Sequence, residues 1–417
     1  MLMLLFVACK QSDVPQPQPG AGEVALVFST NAADRSTRAA SGTLLHDLNY
    51  QTFGIWTWRT LSDDLSVAAP SDWLPVMEHY HVSYDGKYND YGREENGWGY
   101  DKETNFPTQA LRYWNLSSTH YEFKGYAPWV GEARSESDAD PYVEVDASRN
   151  LVYHNVGGHF RAQDMQTAYP VSSDPDYATK KSSVDWLYTY CGRQLAPVPS
   201  SPALLDHDNT LPSSHVSYYI GNTDYTLSKT VPLRFHHLLP KVIFRLHVYD
   251  PEDPMLSVNE VISVSVKTHD KFPTKAGEVS YQTAPYSSST TASATAEFVE
   301  TDGTAEQQWT TELARVFSKT DGTDYQDISP VAADGTRQGW LELPQPAPVF
   351  DVKLRFHDED YVRRLDPATD VSLSQIWQPD HIYVYVINFN VKSLALEVTS
   401  YMEEWSSTFD DFQITDW

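Results

Sequence analysis

His381-Ile382-Tyr383-Val384-Tyr385-Val386-Ile387-Asn388-Phe389-Asn390-Val391 is the stretch whose reading decides the fold. Side chains alternate with a period of two along an extended chain, so Tyr383, Tyr385, Ile387, Phe389 and Val391 share one face. Ile382, Val384 and Val386 take the other face. A strand apolar on both faces belongs inside a sheet that is covered on both sides. Leu394-Ala395-Leu396-Glu397-Val398 continues toward a terminal partner strand.

Working upstream, the segment from Lys241 to Val248 alternates in the same way, and 261–267, 295–300, 338–343 and 350–357 read as further strands. Nearer the N-terminus the strand candidates are Glu23 to Ser29, Thr52 to Trp58, Leu111 to Trp114 and His120 to Tyr126. Asp85-Gly86 and Asn96-Gly97 are hairpin-turn pairs. One short helix is expected at Thr310 to Lys319, where Leu313, Val316 and Phe317 share a helical face. Many short strands with turn residues between them predict an all-β fold, and the length suits two β-sandwiches in tandem. The Pro-, Ser-, Asp- and His-rich stretch 193–215 is the best boundary. It divides the chain into a signal and linker (1–22), an N-terminal domain (23–215) and a C-terminal domain (216–417).

Composition narrows the function classes. The formal net charge is −27, from 30 basic and 57 acidic side chains. Nucleic acid is excluded as an expected partner, because phosphate binding needs a basic footprint. An acidic surface also binds anionic lipid poorly, so a membrane link has to be covalent. Aromatics form 13% of the chain, which suits packing on pleated sheet rather than disorder.

Cys9 suggests what that covalent link is. It follows Met-Leu-Met-Leu-Leu-Phe-Val-Ala, an apolar run ending in a small residue, which reads as the end of a bacterial lipoprotein signal. Cleavage before Cys9 leaves its thiol to carry lipid. Residues 10–22, rich in proline and glycine, form a tether. The alternative, an apolar N-terminus with an incidental cysteine, remains open: the run is short and lacks the usual charged start. Cys191 is the only other cysteine, so no disulfide framework is expected once Cys9 is acylated.

No catalytic constellation stands out, and the chain is not expected to be an enzyme. Asp206-His207-Asp208-Asn209 begins like a calcium loop, but Leu211 and Ser217 stand where glycine and glutamate are needed. His79 and His81, two apart on a strand, would share a face without an evident third metal ligand. His236 and His237 precede an apolar strand and read as hydrogen-bonded structural histidines. His357-Asp358-Glu359-Asp360 reads as a solvated acidic turn. No metal or cofactor is expected.

Four segments carry a family resemblance. They are Phe6-Val7-Ala8-Cys9; Arg112-Tyr113-Trp114 followed by His120-Tyr121-Glu122-Phe123-Lys124-Gly125-Tyr126-Ala127-Pro128; Val231 to Val248; and Trp377-Gln378-Pro379-Asp380-His381-Ile382-Tyr383, with Trp405 further on. In that order they resemble the fimbrillin-like lipoproteins of Bacteroidetes, the subunits of type V pili. Phe6 and Asp380 depart from the family, which usually has leucine and glycine there.

The resemblance implies two transthyretin-like β-sandwich domains and a precursor lipidated at Cys9 on the outer membrane. It also implies proteolytic removal of the first strand after an arginine, leaving a groove that another pilus subunit fills with a donated strand. Here the first strand's core contacts would be Val24, Leu26 and Phe28. Burying three such side chains contributes roughly 5–8 kcal/mol before ordering costs. Arg38, in the small-residue run Ser36 to Gly42, is the candidate cleavage site, with Arg35 as the alternative. A structural or adhesive fimbrial subunit with a host protein or glycan receptor is the leading expectation. The alternative is an outer-membrane surface glycan-binding lipoprotein, in which exposed aromatics stack on sugars.

Overall fold

The computed structural model describes residues 26–29, 50–61, 70–84, 98–100, 109–113, 115, 118, 120–131, 140–194, 230–233, 235–250, 261–269, 272–282, 295–302, 313–316, 326–328 and 339–404. The fold is all-β. In chain order the first strands are β1 (Val27–Ser29), β2 (Thr52–Thr60), β3 (Trp73–Tyr84), β4 (Trp98–Gly99), β5 (His120–Ala127), β6 (Tyr142–Val145), β7 (Leu151–Gly157) and β8 (Phe160–Arg161). Then come β9 (Leu187–Gln194), β10 (Thr230–Pro232), β11 (His236–His237), β12 (Lys241–Tyr249), β13 (Val261–Thr268), β14 (Lys275–Gln282), β15 (Thr295–Asp302) and β16 (Leu313–Val316). The last are β17 (Gln326–Asp327), β18 (Trp340–Leu341), β19 (Gln345–Pro346), β20 (Phe350–Phe356), β21 (Glu359–Leu365), β22 (Ile376–Trp377), β23 (His381–Asn390) and β24 (Ala395–Glu404). Among the described residues the single α-helical turn is Tyr177–Lys180.

Two six-stranded sheets organise the molecule, one ordered β11-β9-β5-β2-β3-β4 and the other β24-β23-β12-β18-β8 with β17 also on β12. As its sequence requires, β23 lies inside its sheet, parallel to β12 and antiparallel to β24. Its two apolar faces enter different cores. Ile382, Val384 and Val386 join one that also holds Trp56, Trp58, Tyr126 and Trp186. Tyr383, Tyr385, Ile387 and Phe389 join another with Val264, Val266, Phe350 and Val352. The Trp377 indole donates to the Tyr385 hydroxyl at 3.0 Å, and the Gln378 N–H donates to the Tyr383 hydroxyl at 2.7 Å. Those bonds give the Trp377-to-Tyr385 stretch its internal logic: buried aromatic polar tips have to find partners.

Pairing crosses residue 215 repeatedly. The β6–β7 hairpin pairs through β7 with β14 in the sheet β15-β14-β7-β6, β10 pairs with β1, and β11 pairs with β9. One core likewise draws Val143 and Tyr153 together with Ala276, Val279 and Ile382.

Some local expectations are corrected. The helix expected at 310–319 is replaced at Leu313–Val316 by β16, antiparallel to β13. A helix as short as the one expected is marginal on its own, whereas a neighbouring strand edge satisfies the backbone at once. Of the strand expected over Leu111–Trp114, Leu111 and Arg112 are irregular and Tyr113 forms only an isolated bridge, while Trp114 lies outside the described residues. At His357-Asp358 the acidic turn is a two-residue hairpin joining β20 to β21, both residues having positive φ, 51° and 63°. All four residues from His357 to Asp360 are exposed, as expected of a solvated turn, with surface ion pairs between Arg355 and Asp358 at 3.3 Å and Lys353 and Asp360 at 2.8 Å. The turns expected at Asp85-Gly86 and Asn96-Gly97, and the loop at Asp206–Asn209, lie outside the described residues.

Candidate functional site: the groove that holds the first strand

The sheet carrying β2, β5 and β9 turns Phe53, Ile55, Tyr121, Phe123 and Leu187 away from the β23 side and towards β1. Onto this face pack Leu26 and Phe28, 0% and 2% exposed, together with Val231 and Leu233 from β10 and its continuation. The two-residue spacing of Leu26 and Phe28 puts both side chains on one face of the strand. Phe28 meets Phe53 at 6.0 Å and Phe123 at 6.2 Å in edge-on geometry, and Tyr100 at 5.8 Å in a tilted one. Burying these two side chains contributes about 3–6 kcal/mol before ordering costs.

β1 and β10 form a two-stranded parallel sheet, with Val27 opposite Thr230, Phe28 opposite Val231 and Ser29 opposite Pro232. Leu26 is held separately. Its N–H donates to the Arg112 carbonyl and its carbonyl accepts from the Tyr100 hydroxyl, both at 2.8 Å. Gln109 fixes this contact to β3: its amide nitrogen donates to the carbonyls of Tyr100 (2.6 Å) and His81 (2.9 Å), and its oxygen accepts from the His81 N–H at 2.6 Å. Arg112 Nε donates to the Tyr80 hydroxyl at 2.7 Å. Tyr100 and Gln109 act here through side chains that no local sequence pattern marks, whereas Arg112, from the Arg112-Tyr113-Trp114 motif, acts on Leu26 through its carbonyl.

Of the residues expected at the site, Leu26 and Phe28 come together in the groove. Val24, Arg35, Arg38 and Cys9 lie outside the described residues.

Beside the groove, three polar side chains meet in the interior. The Tyr50 hydroxyl donates to Asp185 Oδ2 at 2.6 Å, and His237 Nδ1 lies 2.9 Å from the same oxygen. Burial first, then the Asp185 carboxylate, pushes the Tyr50 hydroxyl well above its ordinary value. His236 Nδ1 bonds Asp380 Oδ2 at 2.6 Å. Both histidines of this pair therefore sit in hydrogen-bonded structural contacts.

His79 lies in a β-bulge of β3 with φ +52°. Its ring stacks on Trp56 at 4.5 Å, approaches Trp129 at 4.3 Å, and bonds the Tyr126 hydroxyl through Nε2 at 2.7 Å. Burial, then neighbouring His81, lowers its pKa to about 4. His79 is thus committed to an aromatic stack and His81 meets Trp129 edge-on at 5.1 Å, and no cluster of three metal-ligating side chains occurs among the described residues. Tyr401 is among the exposed aromatic side chains.

No family model and no curated protein matches the chain. Solved structures are similar to it over most of its length. A fimbrial protein from Bacteroides vulgatus is 14% identical, with 92% of this chain and 99% of that one covered and a TM-score of 0.40. A candidate cell adhesion protein from Bacteroides uniformis is 14% identical, with 93% and 100% covered and a TM-score of 0.38. The tip fimbrial protein Mfa3 from Porphyromonas gingivalis, solved with a C-terminal truncation, is 7% identical, with 92% and 100% covered and a TM-score of 0.32.

Proposed function

We propose that this chain is a structural or adhesive fimbrial subunit, exported as a lipoprotein and assembled by strand exchange. The observation that carries the reading is the seating of β1. It is a short strand with its own two-stranded sheet, yet Leu26 and Phe28 fill the middle of an aromatic core. Removing such a strand bares an apolar groove and an unpaired β10 edge, and both favour capture of a replacement strand.

In this reading Cys9 carries the lipid that holds the precursor at the outer membrane. Cleavage after Arg38, or after Arg35, frees the segment containing Val24, Leu26 and Phe28. A strand from another subunit then enters, and a surface of the assembled fimbria meets a host protein or glycan. No catalytic step is assigned to the chain.

The test is the N-terminal residue of the mature surface form, read by Edman or mass-spectrometric sequencing. A start at Ala39 (or Ser36), together with ladders on unheated gels, is the expected result. A mature form that keeps a lipidated Cys9 and runs as a monomer overturns strand exchange and favours a plain surface lipoprotein.

A further inference from the structure

The groove holds its strand unevenly. Along one side β10 faces Val27, Phe28 and Ser29, and Pro232, opposite Ser29, has no N–H to give. On the other side Leu26 is gripped at one point, its N–H by the Arg112 carbonyl and its carbonyl by the Tyr100 hydroxyl. That grip has supports of its own. The Arg112 N–H donates to the Tyr100 hydroxyl at 3.2 Å, Arg112 Nε reaches Tyr80, and Gln109 ties Tyr100 to β3. The bonds that support this clamp involve no atom of β1, so they do not depend on which strand occupies the groove.

The geometry points to a groove that reads register and sequence, not merely apolarity. Its partner is an extended polypeptide segment running parallel to β10, with an aliphatic residue that has a free N–H and an aromatic residue two positions later. The aliphatic residue takes the place of Leu26 and meets the clamp. The aromatic residue takes the place of Phe28 and regains the edge-on contacts with Phe53 and Phe123. A one-residue slip turns both side chains out of the core and offers the clamp the wrong peptide group. Proline at the first position removes the N–H that Arg112 accepts. This inference rests on the strand-exchange reading and adds to it the chemistry of the segment that is accepted.

The test uses the full chain with a recognition site for a specific protease placed between residues 30 and 49. After cutting, β1 is held without a covalent link. Fluorescein-labelled Glu-Val-Ala-Leu-Val-Phe-Ser is added and its entry followed by anisotropy. It is compared with the same peptide N-methylated at the leucine, with one whose leucine and phenylalanine are both shifted by one position, and with one carrying leucine for phenylalanine. The parent peptide is expected to enter, the methylated and shifted peptides to bind at least about 10-fold more weakly, and the leucine peptide to fall between. In the Tyr100→Phe chain, which keeps the ring beside Phe28, the parent peptide is expected to leave about 3- to 10-fold faster. Equal binding of all four peptides overturns sequence reading while leaving strand exchange intact. A folded, cut chain that admits none of them overturns both.

Discussion

Asp380 lies at φ +61°, and its carboxylate reaches His236 Nδ1 at 2.6 Å. The two facts belong together. A left-handed residue favours glycine, but aspartate tolerates it and here gains a partner from it. The Asp380 N–H also donates to the His237 carbonyl at 2.8 Å, so one residue ties the entry of β23 to β11. Asp380→Gly keeps the backbone and loses the carboxylate, and is expected to cost about 1 kcal/mol. Asp380→Ala loses the carboxylate and strains the backbone as well, and is expected to cost about 2–3 kcal/mol. In a His236→Ala background the cost of Asp380→Gly should shrink to what the long 3.4 Å bond from the His237 N–H to the Asp380 carboxylate contributes. Urea melts of the parent and the four variants measure this, and equal costs for Gly and Ala would refute the left-handed half of the argument.

The Tyr50–Asp185–His237 contact predicts an alkaline limit to stability. A hydroxyl whose folded pKa is raised contributes fully below its unfolded value near 10.0 and loses that contribution as pH rises above it. Burial raises Tyr126 and Tyr385 in the same direction. Melting temperature should therefore be flat up to about pH 10 and then fall, each such tyrosine contributing about 1.4 kcal/mol per pH unit. Tyr50→Phe should lower stability at pH 8, because it removes a donor from a buried carboxylate, by about 1–3 kcal/mol. It should also make the fall above pH 10 shallower. Thermal melts of both chains from pH 8 to 12 test this, and parallel curves would count against it.

Much of this architecture was readable from residues, and the reasons are local. β23 announced itself because both its faces are apolar, and the structure gives each face its own core. The alternation likewise named Val24, Leu26 and Phe28 as the first strand's core contacts; Leu26 and Phe28 are buried in the groove, and Val24 lies outside the described residues. What escaped was non-local or irregular. The parallel pairing of β1 with β10 joins segments far apart in the chain, and nothing in either reports the other. Leu313, Val316 and Phe317 have helical spacing, yet the open edge of β13 gives Leu313–Val316 strand partners instead. The clamp on Leu26 works through the Arg112 carbonyl, a group every residue has. Asp380 looked like a departure from a glycine position, and only the fold shows that His236 stands ready to receive its carboxylate.

His79 predicts an acid limit of a different kind. Its folded pKa of about 4 lies below the ordinary 6.5, because its ring is buried between Trp56 and Trp129 beside His81. The unfolded chain binds the proton more readily, so stability is full above about pH 6.5 and declines as pH falls towards 4. The loss over that window is on the order of 3 kcal/mol. His79→Asn tolerates the positive φ of the bulge and cannot titrate. Its stability should be lower than that of the parent at pH 7.5, and the difference should shrink on going to pH 4.5. A constant difference across that range would show that His79 does not carry the acid response.

Glu122 predicts an inequality between anion and cation. Its carboxylate lies 3.2 Å from Lys124 Nζ and 2.8 Å from Arg149 Nε, with the Glu122 and Lys124 side chains almost wholly buried. Arg149 holds a φ of +64° and lies 4.6 Å over the Trp73 ring, and Lys124 is 5.4 Å over the Tyr190 ring. Burial lowers the Lys124 pKa, with Glu122 acting against it. Glu122→Gln leaves two interior cations without their counter-charge and is expected to cost about 3–5 kcal/mol. Lys124→Met keeps the Glu122–Arg149 pair and fills the same space with an apolar chain, so its cost should be under about 1.5 kcal/mol. Adding Lys124→Met to Glu122→Gln should recover part of the loss, since only one stranded cation then remains. Urea denaturation of the three variants gives the comparison. Equal losses for the two single substitutions, or no recovery in the double, would show that Glu122 is not the centre of this cluster.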